Sequence, residues 1–168
     1  NPETDHQPRY FWINLVQMTC MTGDLQAAEV ILCCGRGLQN KRNLNLAFRV
    51  ADCIQAQIAG TRAAVDLGWI PANREIGLSG ARVEPQIYIG CGVSGTNFHT
   101  MGMKHAKKII AINTDPLAPI FQIADIRIEE DVCKVLFALM HTFSEKNPLQ
   151  PSSIHHPSVD ELLAFFDR

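Results

Sequence analysis

The glycine-rich segment 90–95 reads Gly-Cys-Gly-Val-Ser-Gly and fits the G-x-G-x-x-G pattern. It follows a predicted buried strand and precedes a predicted helix, and glycines in such a turn let backbone N–H groups approach a phosphate. Asp115 lies twenty residues after Gly95, near the place where dinucleotide-binding folds carry the acid that holds a ribose. The pattern favours a nucleotide site, although similar turns also close crossovers that bind no ligand.

Three further side chains have types that suit ligand contact or control of charge: Arg62, Ser79 and His99. Arg62 follows an apparent strand end, where open α/β sheets bind their ligands, and the alternative is an exposed Arg62 paired with Asp66. Ser79 lies in the tight turn 77–80, which either presents its hydroxyl or is simply a turn. His99, in the predicted helix, is either a ligand contact or a core histidine.

Composition excludes several other functions. The 168 residues carry a net charge of −2, which gives no electrostatic footprint for nucleic acid. No apolar run approaches the roughly 18 residues that span a membrane, so no membrane insertion is expected. The six cysteines form no C-x-x-C and the histidines form no H-x-x-x-H, so no metal site is expected and a reducing compartment fits best. No G-x-S-x-G hydrolase turn occurs.

Hydrophobic patterning places these residues on alternating strands and helices. That alternation predicts a parallel sheet that is covered on both faces. Asp131 is expected to cap a helix, and Ser158 and Glu161 form a capping box before a short C-terminal helix. The predicted strands cover residues 10–18, 29–34, 86–90, 108–113 and 121–128, and the predicted longer helices cover residues 43–56, 94–106 and 131–143.

Taken together, these segments resemble the electron transfer flavoprotein alpha subunit, in its C-terminal, FAD-binding domain. The resemblance covers about residues 30–139 and is far more specific than any single motif. Its elements, in chain order, are G-R-G-L from residue 35, T-R-A-A-V-D-x-G-W-I-P from 61, G-x-S-G from 77, P-x-I-Y-I-x-x-G-V-S-G from 85, His99, and A-I-N-x-D-P-x-A-P-I-F-Q-I-A-D from 111.

The resemblance implies a Rossmann-like fold of the DHS-like NAD/FAD-binding kind, with a parallel sheet and helices on both faces. It implies FAD as the cofactor and an electron carrier, not an enzyme. The implied partners are the family's beta subunit, a flavoprotein dehydrogenase as donor and a downstream acceptor such as a quinone oxidoreductase. The expected location is the bacterial cytoplasm or the mitochondrial matrix.

The resemblance and the composition of the two ends together suggest three regions of the chain. Residues 1–28 are expected to be an extension or linker from an N-terminal domain that this sequence lacks. Residues 29–143 are expected to form the FAD-binding domain. Residues 144–168 are expected to be a tail with a short helix.

The resemblance also implies residue roles. Arg36 is expected near the FAD phosphate or adenosine side, Arg62 beside the isoalloxazine ring, the turn 76–79 near flavin N5, and residues 94–99 at the pyrophosphate and the ring's carbonyl edge. Arg62, Ser79 and His99 are expected to tune the redox potential. The whole set expected to bind FAD is Arg36, Thr61, Arg62, Ile76, Gly77, Leu78, Ser79, Ser94, Gly95, Thr96, Asn97, Phe98, His99, Asn113, Asp131 and Val132, with Asn113 and Asp131 towards the adenosine end.

Four residues depart from the family's usual pattern: Leu78, Ala81, Phe98 and Thr114 replace Gln, Lys, Gln and Lys. Leu78 and Phe98 make the flavin side more apolar, which disfavours a flavin anion and is expected to oppose Arg62. Two alternatives stay open at this point. One is a NAD- or nucleotide-binding module without an electron-carrier role, and the other is a scaffold that keeps the fold without a cofactor.

Overall fold

Five parallel strands form the centre of the molecule, in the order β2-β1-β3-β4-β5. The computed structural model describes residues 20–144 and 156–167, so the predicted strand over residues 10–18 lies outside the described residues. The parallel sheet with its helices confirms the predicted α/β class. The strands are β1 Val30–Cys34, β2 Gln57–Gly60, β3 Ile87–Cys91, β4 Lys108–Ile112 and β5 Ile126–Ile128.

The two central strands are apolar along their whole length because both of their faces are covered. Every residue of β1 and β3 is buried, which is typical of a strand inside a parallel sheet. Successive side chains of a strand point to opposite faces. In β1, therefore, Leu32 packs into one core cluster while Ile31 and Cys33 pack into the other.

The two long helices begin where the sequence offers a side-chain acceptor. The Asn40 side chain accepts the Asn43 N–H (3.0 Å) at the start of the first long helix, and the Asp131 carboxylate accepts the Cys133 N–H (2.8 Å) before the second. The Asp131 cap and the capping box at Ser158 are thus confirmed. The helices are α1 Lys41–Ile54, α2 Arg62–Asp66, α3 Asn97–Thr100, α4 Val132–Ser144 and α5 Val159–Phe166.

The two faces of the sheet are covered differently. One face packs against α1, α4 and α5, through residues such as Phe48, Leu136 and Leu162. The other face has Tyr88 and Met103 at its centre and is covered by the short α3, single-turn 3-10 helices and loops. Helices therefore lie on both faces, but the long ones all lie on one.

Two sequence predictions of secondary structure are wrong. The helix predicted over residues 94–106 is reduced to Asn97–Thr100, because Gly102 packs so closely that a Cβ there would lie 2.5 Å from the backbone nitrogen of Gly77. The strand predicted over residues 121–128 is only Ile126–Ile128, because Pro119 begins a 3-10 helix, Pro119–Gln122.

Buried Arg74 ties the first described residues to the sheet. Its guanidinium donates to the carbonyl oxygens of Ile58 (2.9 Å), Gly23 (2.6 Å) and Cys20 (3.2 Å), and to the Gln57 side chain (2.8 Å). Burial of a charged group is tolerated where its donors are satisfied in this way. The segment that precedes β1 is consequently held beside β2, and the loop that follows Arg74 is anchored for the site described next.

Candidate functional site

A cavity of about 950 Å³ opens at the carboxyl ends of β1 to β4. In this strand order the chain leaves β1 towards β2 on one side and later returns to β3 on the other. Open α/β sheets bind ligands at such a switch point. The volume lies at the upper end of ordinary ligand pockets, roughly 300–1,000 Å³. The lining residues come from the loops after β1 (35–37), β2 (61–66), β3 (92–99) and β4 (113–118), and from the turn 75–79.

The floor of the cavity is formed by two glycine loops in direct contact. The Gly35 N–H donates to the Cys91 carbonyl (2.9 Å), and the Gly37 N–H donates to the Gly92 carbonyl (3.0 Å). A Cβ at Gly35 would lie 2.3 Å from the Gly92 oxygen, so no larger residue fits. Gly92 also has a φ of +65°, in the left-handed region that favours glycine. These glycines are required by the contact of one loop with the other, which brings the ends of β1 and β3 together.

Unused hydrogen-bond donors and an unpaired cation line one side of the cavity. Within the described ranges, the backbone N–H groups of residues 93–96 have no hydrogen-bond acceptor. Arg36 is exposed on the neighbouring loop, and no described acid lies within ion-pair distance of it. Consecutive free N–H groups beside a guanidinium suit an anionic group with several oxygens. This side of the cavity therefore fits a pyrophosphate, which is the group that FAD or another dinucleotide would present.

Arg62 lies at the rim and is paired. Its Nε donates to the Asp66 carboxylate (2.9 Å), one helical turn away, and the two side chains are 66% and 61% exposed. The hydrogen bond that Arg62 donates to Asp66 is the main cause that raises the pKa of Arg62. The alternative of an exposed Arg62–Asp66 pair is thus the arrangement found, and Arg62 lines the cavity as well. A role beside a flavin ring stays a prediction.

Ser79 is engaged with an acid that the sequence analysis did not single out. The Ser79 hydroxyl donates to Oε1 of Glu75 (2.7 Å) across the turn, and both residues line the cavity. Glu75 is only 6% exposed. Its backbone continues the edge of the sheet, because the Ile76 N–H donates to the Gly60 carbonyl (3.0 Å) at the end of β2. No pattern in the sequence distinguishes Glu75 from a solvated loop acid, so this lining residue was missed.

His99 lines the cavity but has both ring nitrogens engaged. It is 5% exposed, with Nδ1 2.9 Å from the Ile76 carbonyl and Nε2 2.6 Å from the Tyr88 hydroxyl. A carbonyl only accepts, so Nδ1 carries the hydrogen and Nε2 accepts from Tyr88. Burial lowers the pKa of His99, which favours this neutral ring. In this arrangement His99 offers no free N–H to a flavin carbonyl, and the predicted contact there stays a prediction.

The remaining predicted residues divide into two groups. Asn97, Asp131 and Val132 do not line the cavity, although Asp131 lies at the same edge of the sheet as the cap of α4. The other predicted residues all line it, and Asn113 does so while donating from its side chain to the Val93 carbonyl (3.0 Å). Asp115 also lines it, which leaves the ribose-binding acid of the nucleotide alternative open.

Apolar side chains form part of the rim of the cavity. Leu78 and Phe98 line the cavity, are exposed, and lie on segments joined by a hydrogen bond from the Leu78 N–H to the Phe98 carbonyl (2.7 Å). Together with buried Ile76 they give one end of the cavity an apolar wall. A cavity with one apolar end and one end rich in donors fits a ligand that is part aromatic ring and part diphosphate.

The described residues show neither a membrane-spanning helix nor a cluster of metal ligands. None of the helices in the described ranges combines the length and the apolar character that crossing a membrane requires. In the same part of the chain, no group of three or more His, Cys, Asp or Glu side chains is placed to hold a metal ion.

Comparisons with known proteins agree with the resemblance read from the motifs. The family model described as "Electron transfer flavoprotein FAD-binding domain" matches residues 24–104. The chain is 44% identical over 113 residues to a probable mitochondrial electron transfer flavoprotein subunit alpha of Caenorhabditis elegans, which is 67% of this chain and 34% of that relative. It is 38% identical over 135 residues to the mitochondrial alpha subunit of Oryza sativa subsp. indica, covering 80% of this chain and 38% of that relative.

A bacterial relative gives the same result. The electron transfer flavoprotein subunit alpha of Pseudomonas aeruginosa is 43% identical over 109 residues, which is 65% of this chain and 35% of that protein. The matched stretch thus spans about a third of the length of each of these relatives. The suspected resemblance and the FAD-binding character of the domain are confirmed at the level of the family. Residues 24–104 of this chain therefore match the FAD-binding domain of the electron transfer flavoprotein family, and the chain is similar to alpha subunits of that family over about two thirds or more of its length.

Proposed function

We propose that this chain binds FAD in the cavity at the strand ends and acts as the flavin-carrying part of an electron carrier, without turning over a substrate of its own. One observation carries the proposal: the unused N–H groups of residues 93–96 and Arg36, which forms no ion pair with any described acid, line the same cavity. The match to the family's FAD-binding domain supports the choice of flavin over other dinucleotides. When bound, FAD supplies the redox chemistry, and the protein supplies placement and electrostatics.

Each part of the cavity has a role in this proposal. Arg36 and the N–H groups of residues 93–96 hold the pyrophosphate, and glycines at the loop contact keep those groups in place. Ile76, Leu78 and Phe98 exclude water from the ring, while Arg62 places a positive charge near it. Asn97, Asp131 and Val132 remain candidates for the adenosine end, supported by the resemblance and not by the lining of the cavity.

The partners are proposed on the family alone. A beta subunit would complete the carrier, a flavoprotein dehydrogenase would supply electrons, and an acceptor such as a quinone oxidoreductase would receive them. Because the matched stretch spans about a third of its relatives, these are roles of the whole protein. A mitochondrial or a bacterial cytoplasmic location is proposed on the same basis, since the relatives include both mitochondrial and bacterial proteins.

Flavin release and an FAD titration test the proposal. The purified chain, alone and with a beta subunit, is expected to release FAD on denaturation or to bind it saturably in a way that NAD does not displace. Arg36→Ala is expected to weaken FAD binding by at least about tenfold, the equivalent of one charge-assisted hydrogen bond. Arg49→Ala, which removes an exposed arginine from the middle of α1, is the matched control and should bind as the parent does.

The competing readings give distinct results in the same assay. NAD binding that excludes FAD would favour the nucleotide-binding module, with Asp115 at the ribose, and Asp115→Asn should then lose it. A chain that stays colourless even with the beta subunit would favour a scaffold without cofactor.

Arg62→Ala is expected to lower the reduction potential of the bound flavin, because it removes a positive charge that stabilises added electrons. An unchanged potential would remove Arg62 from this role.

A further inference from the structure

Glu75 is the one buried acid among the residues that the structure describes, and it lines the cavity. Burial of a carboxylate is unfavourable unless cations or hydrogen-bond donors compensate it. In the described ranges no cationic group lies within 4.0 Å of the Glu75 carboxylate. Its compensation is the single hydrogen bond from the Ser79 hydroxyl to Oε1, at 2.7 Å.

The second oxygen of Glu75 is open to the cavity. No described residue donates to Oε2, yet no buried side-chain oxygen or nitrogen in the described ranges is left without a partner. Oε2 is therefore reached by solvent, and the cavity is the solvent space that Glu75 lines. One oxygen is thus held by the protein while the other faces the space that a ligand would fill.

The charge of Glu75 is felt by two groups around the same end of the cavity. Its carboxylate contributes to raising the pKa of Arg62, after the larger effect of Asp66, and it acts in the same direction on the pKa of His99, against the effect of burial. Arg62 itself is exposed and paired with Asp66, so solvent and that partner screen its positive charge. A buried charge is screened less than an exposed one. At this end of the cavity, the negative charge of Glu75 is therefore the less screened of the two.

We propose that Glu75 is a redox-tuning residue: its buried carboxylate, held by Ser79 and directed into the cavity, opposes Arg62 and lowers the reduction potential of the bound flavin. The inference rests on the proposed function, because it needs a flavin ring at the Arg62 end of the cavity. A negative charge near the ring disfavours an added electron, just as a positive charge favours it. The reduction potential of the flavin then depends on the balance between Glu75, which lowers it, and Arg62, which raises it.

The decisive variant is Glu75→Gln, which keeps the shape of the side chain and an acceptor for Ser79 but removes the charge. The reduction potential of the bound flavin, measured by equilibration with a reference dye, is expected to rise. A tenfold change in the one-electron equilibrium corresponds to about 59 mV, and we expect a shift of at least that size. Glu29→Gln is the matched control, because Glu29 is exposed and precedes β1, at the opposite edge of the sheet.

A second readout separates redox tuning from a structural role. A buried carboxylate with a single hydrogen bond destabilises the folded chain. If Glu75 serves the flavin and not the fold, removing its charge should therefore raise the urea midpoint of the ligand-free chain. Glu75→Met removes the charge with a different side chain and is expected to shift the potential in the same direction. It serves where the Gln variant does not fold.

Each outcome bears on the proposal. A raised potential in the Gln or Met variant, with the Glu29→Gln chain unchanged, supports it. Potentials equal to that of the control, with flavin bound in all the variants, overturn it while leaving the proposed function intact. A lowered urea midpoint with no shift in potential assigns Glu75 to the fold alone. Absence of flavin from the parent chain with its beta subunit removes the proposed function and this inference together.

Discussion

At the residue scale, both ring nitrogens of His99 are hydrogen-bonded, and these two bonds determine which nitrogen carries the hydrogen. Nδ1 donates to the Ile76 carbonyl and Nε2 accepts from the Tyr88 hydroxyl, within a buried environment. Protonation of the ring would turn Nε2 into a donor, and the Tyr88 hydroxyl would then have to turn and accept from it. The buried arrangement therefore favours the neutral ring, because burial lowers the pKa of His99.

This arrangement predicts a loss of stability in mild acid. The folded pKa of His99 is lower than the unfolded value of 6.5, so the unfolded chain binds a proton first as the pH falls. The contribution of His99 is fully present above about pH 6.5 and is lost as the pH falls towards and through the folded pKa. Urea unfolding at pH 7.5 and pH 5.5 should show a larger loss of unfolding free energy for the parent chain than for His99→Gln.

Exposed His105 supplies the control for that measurement. His105→Gln should lose as much stability between the two pH values as the parent chain does. If His99→Gln and His105→Gln behave alike, the acid sensitivity comes from other groups, and the neutral, doubly bonded ring is not its cause.

At the residue level, the sequence predicted the positions near the cavity better than their contacts. The motifs placed Arg36, Arg62, Ser79 and His99 around one cavity because each follows a strand end or lies in a tight turn, and chain order carries that information. The sequence could not show that Ser79 donates to Glu75 or that His99 is engaged with Tyr88. Those partners lie on segments whose approach depends on the packing of the whole sheet.

At the scale of elements, the contact between the loops after β1 and β3 determines the shape of the cavity. Gly92 has a φ of +65°, and a Cβ there would lie 2.6 Å from the backbone of Gly37. Gly68 provides a comparison within the same chain. Its φ is +72°, but a Cβ there would meet no atom within 4 Å. The two glycines share a backbone conformation and differ in their surroundings.

Alanine at these two positions should separate backbone strain from steric overlap. Gly68→Ala is expected to lower the free energy of unfolding by about 1–2 kcal/mol, the penalty of a left-handed conformation with a Cβ. Gly92→Ala should lose that amount and about 1–3 kcal/mol more, because two backbone segments must move apart. Denaturant unfolding of both variants measures the difference. Equal losses would mean that the loop contact yields easily and does not constrain the cavity.

Elements were predicted well where the sequence signal is continuous. The apolar runs of β1, β3 and β4 are unbroken, and the helical spacing of α1 and α4 extends over several turns, so these elements were predicted to within a few residues. The failures lie in residues 94–106 and 121–128. There, short apolar stretches are interrupted by Gly95, Gly102 or the turn before β5, and close packing against other loops overrides the local pattern.

At the scale of the whole molecule, the core extends beyond the boundaries that the resemblance suggested. Leu162 and Phe166 of α5 are buried in the same cluster as α1 and α4, and the Phe165 and Phe143 rings lie 6.0 Å apart. At the N-terminal end of the described residues, Arg74 donates hydrogen bonds to the segment before β1. Residues on both sides of the predicted 29–143 domain thus pack on the same core, while the boundary itself stays a prediction.

Removing the buried side chain of α5 should therefore destabilise the whole domain. Leu162→Ala is expected to lower the free energy of unfolding by about 2–5 kcal/mol, as for other leucines in a packed core. Ala164→Ser, on the exposed side of the same helix, should change it by less than about 0.5 kcal/mol. Urea unfolding followed by far-UV circular dichroism provides the measurement. A small effect at both positions would mean that α5 opens separately from the sheet.

The thiols at the centre of the sheet have a practical consequence. Cys33, Cys34 and Cys91 are inaccessible in adjacent strands, and burial raises the pKa of the Cys33 thiol to about 12 and those of the other two as well. Alkylating reagents attack the thiolate, so these three positions react only when β1 and β3 separate. The rate at which these thiols are alkylated, measured as mass gained per hour, therefore reports how often the sheet opens. Any ligand that joins the ends of those strands should slow this alkylation.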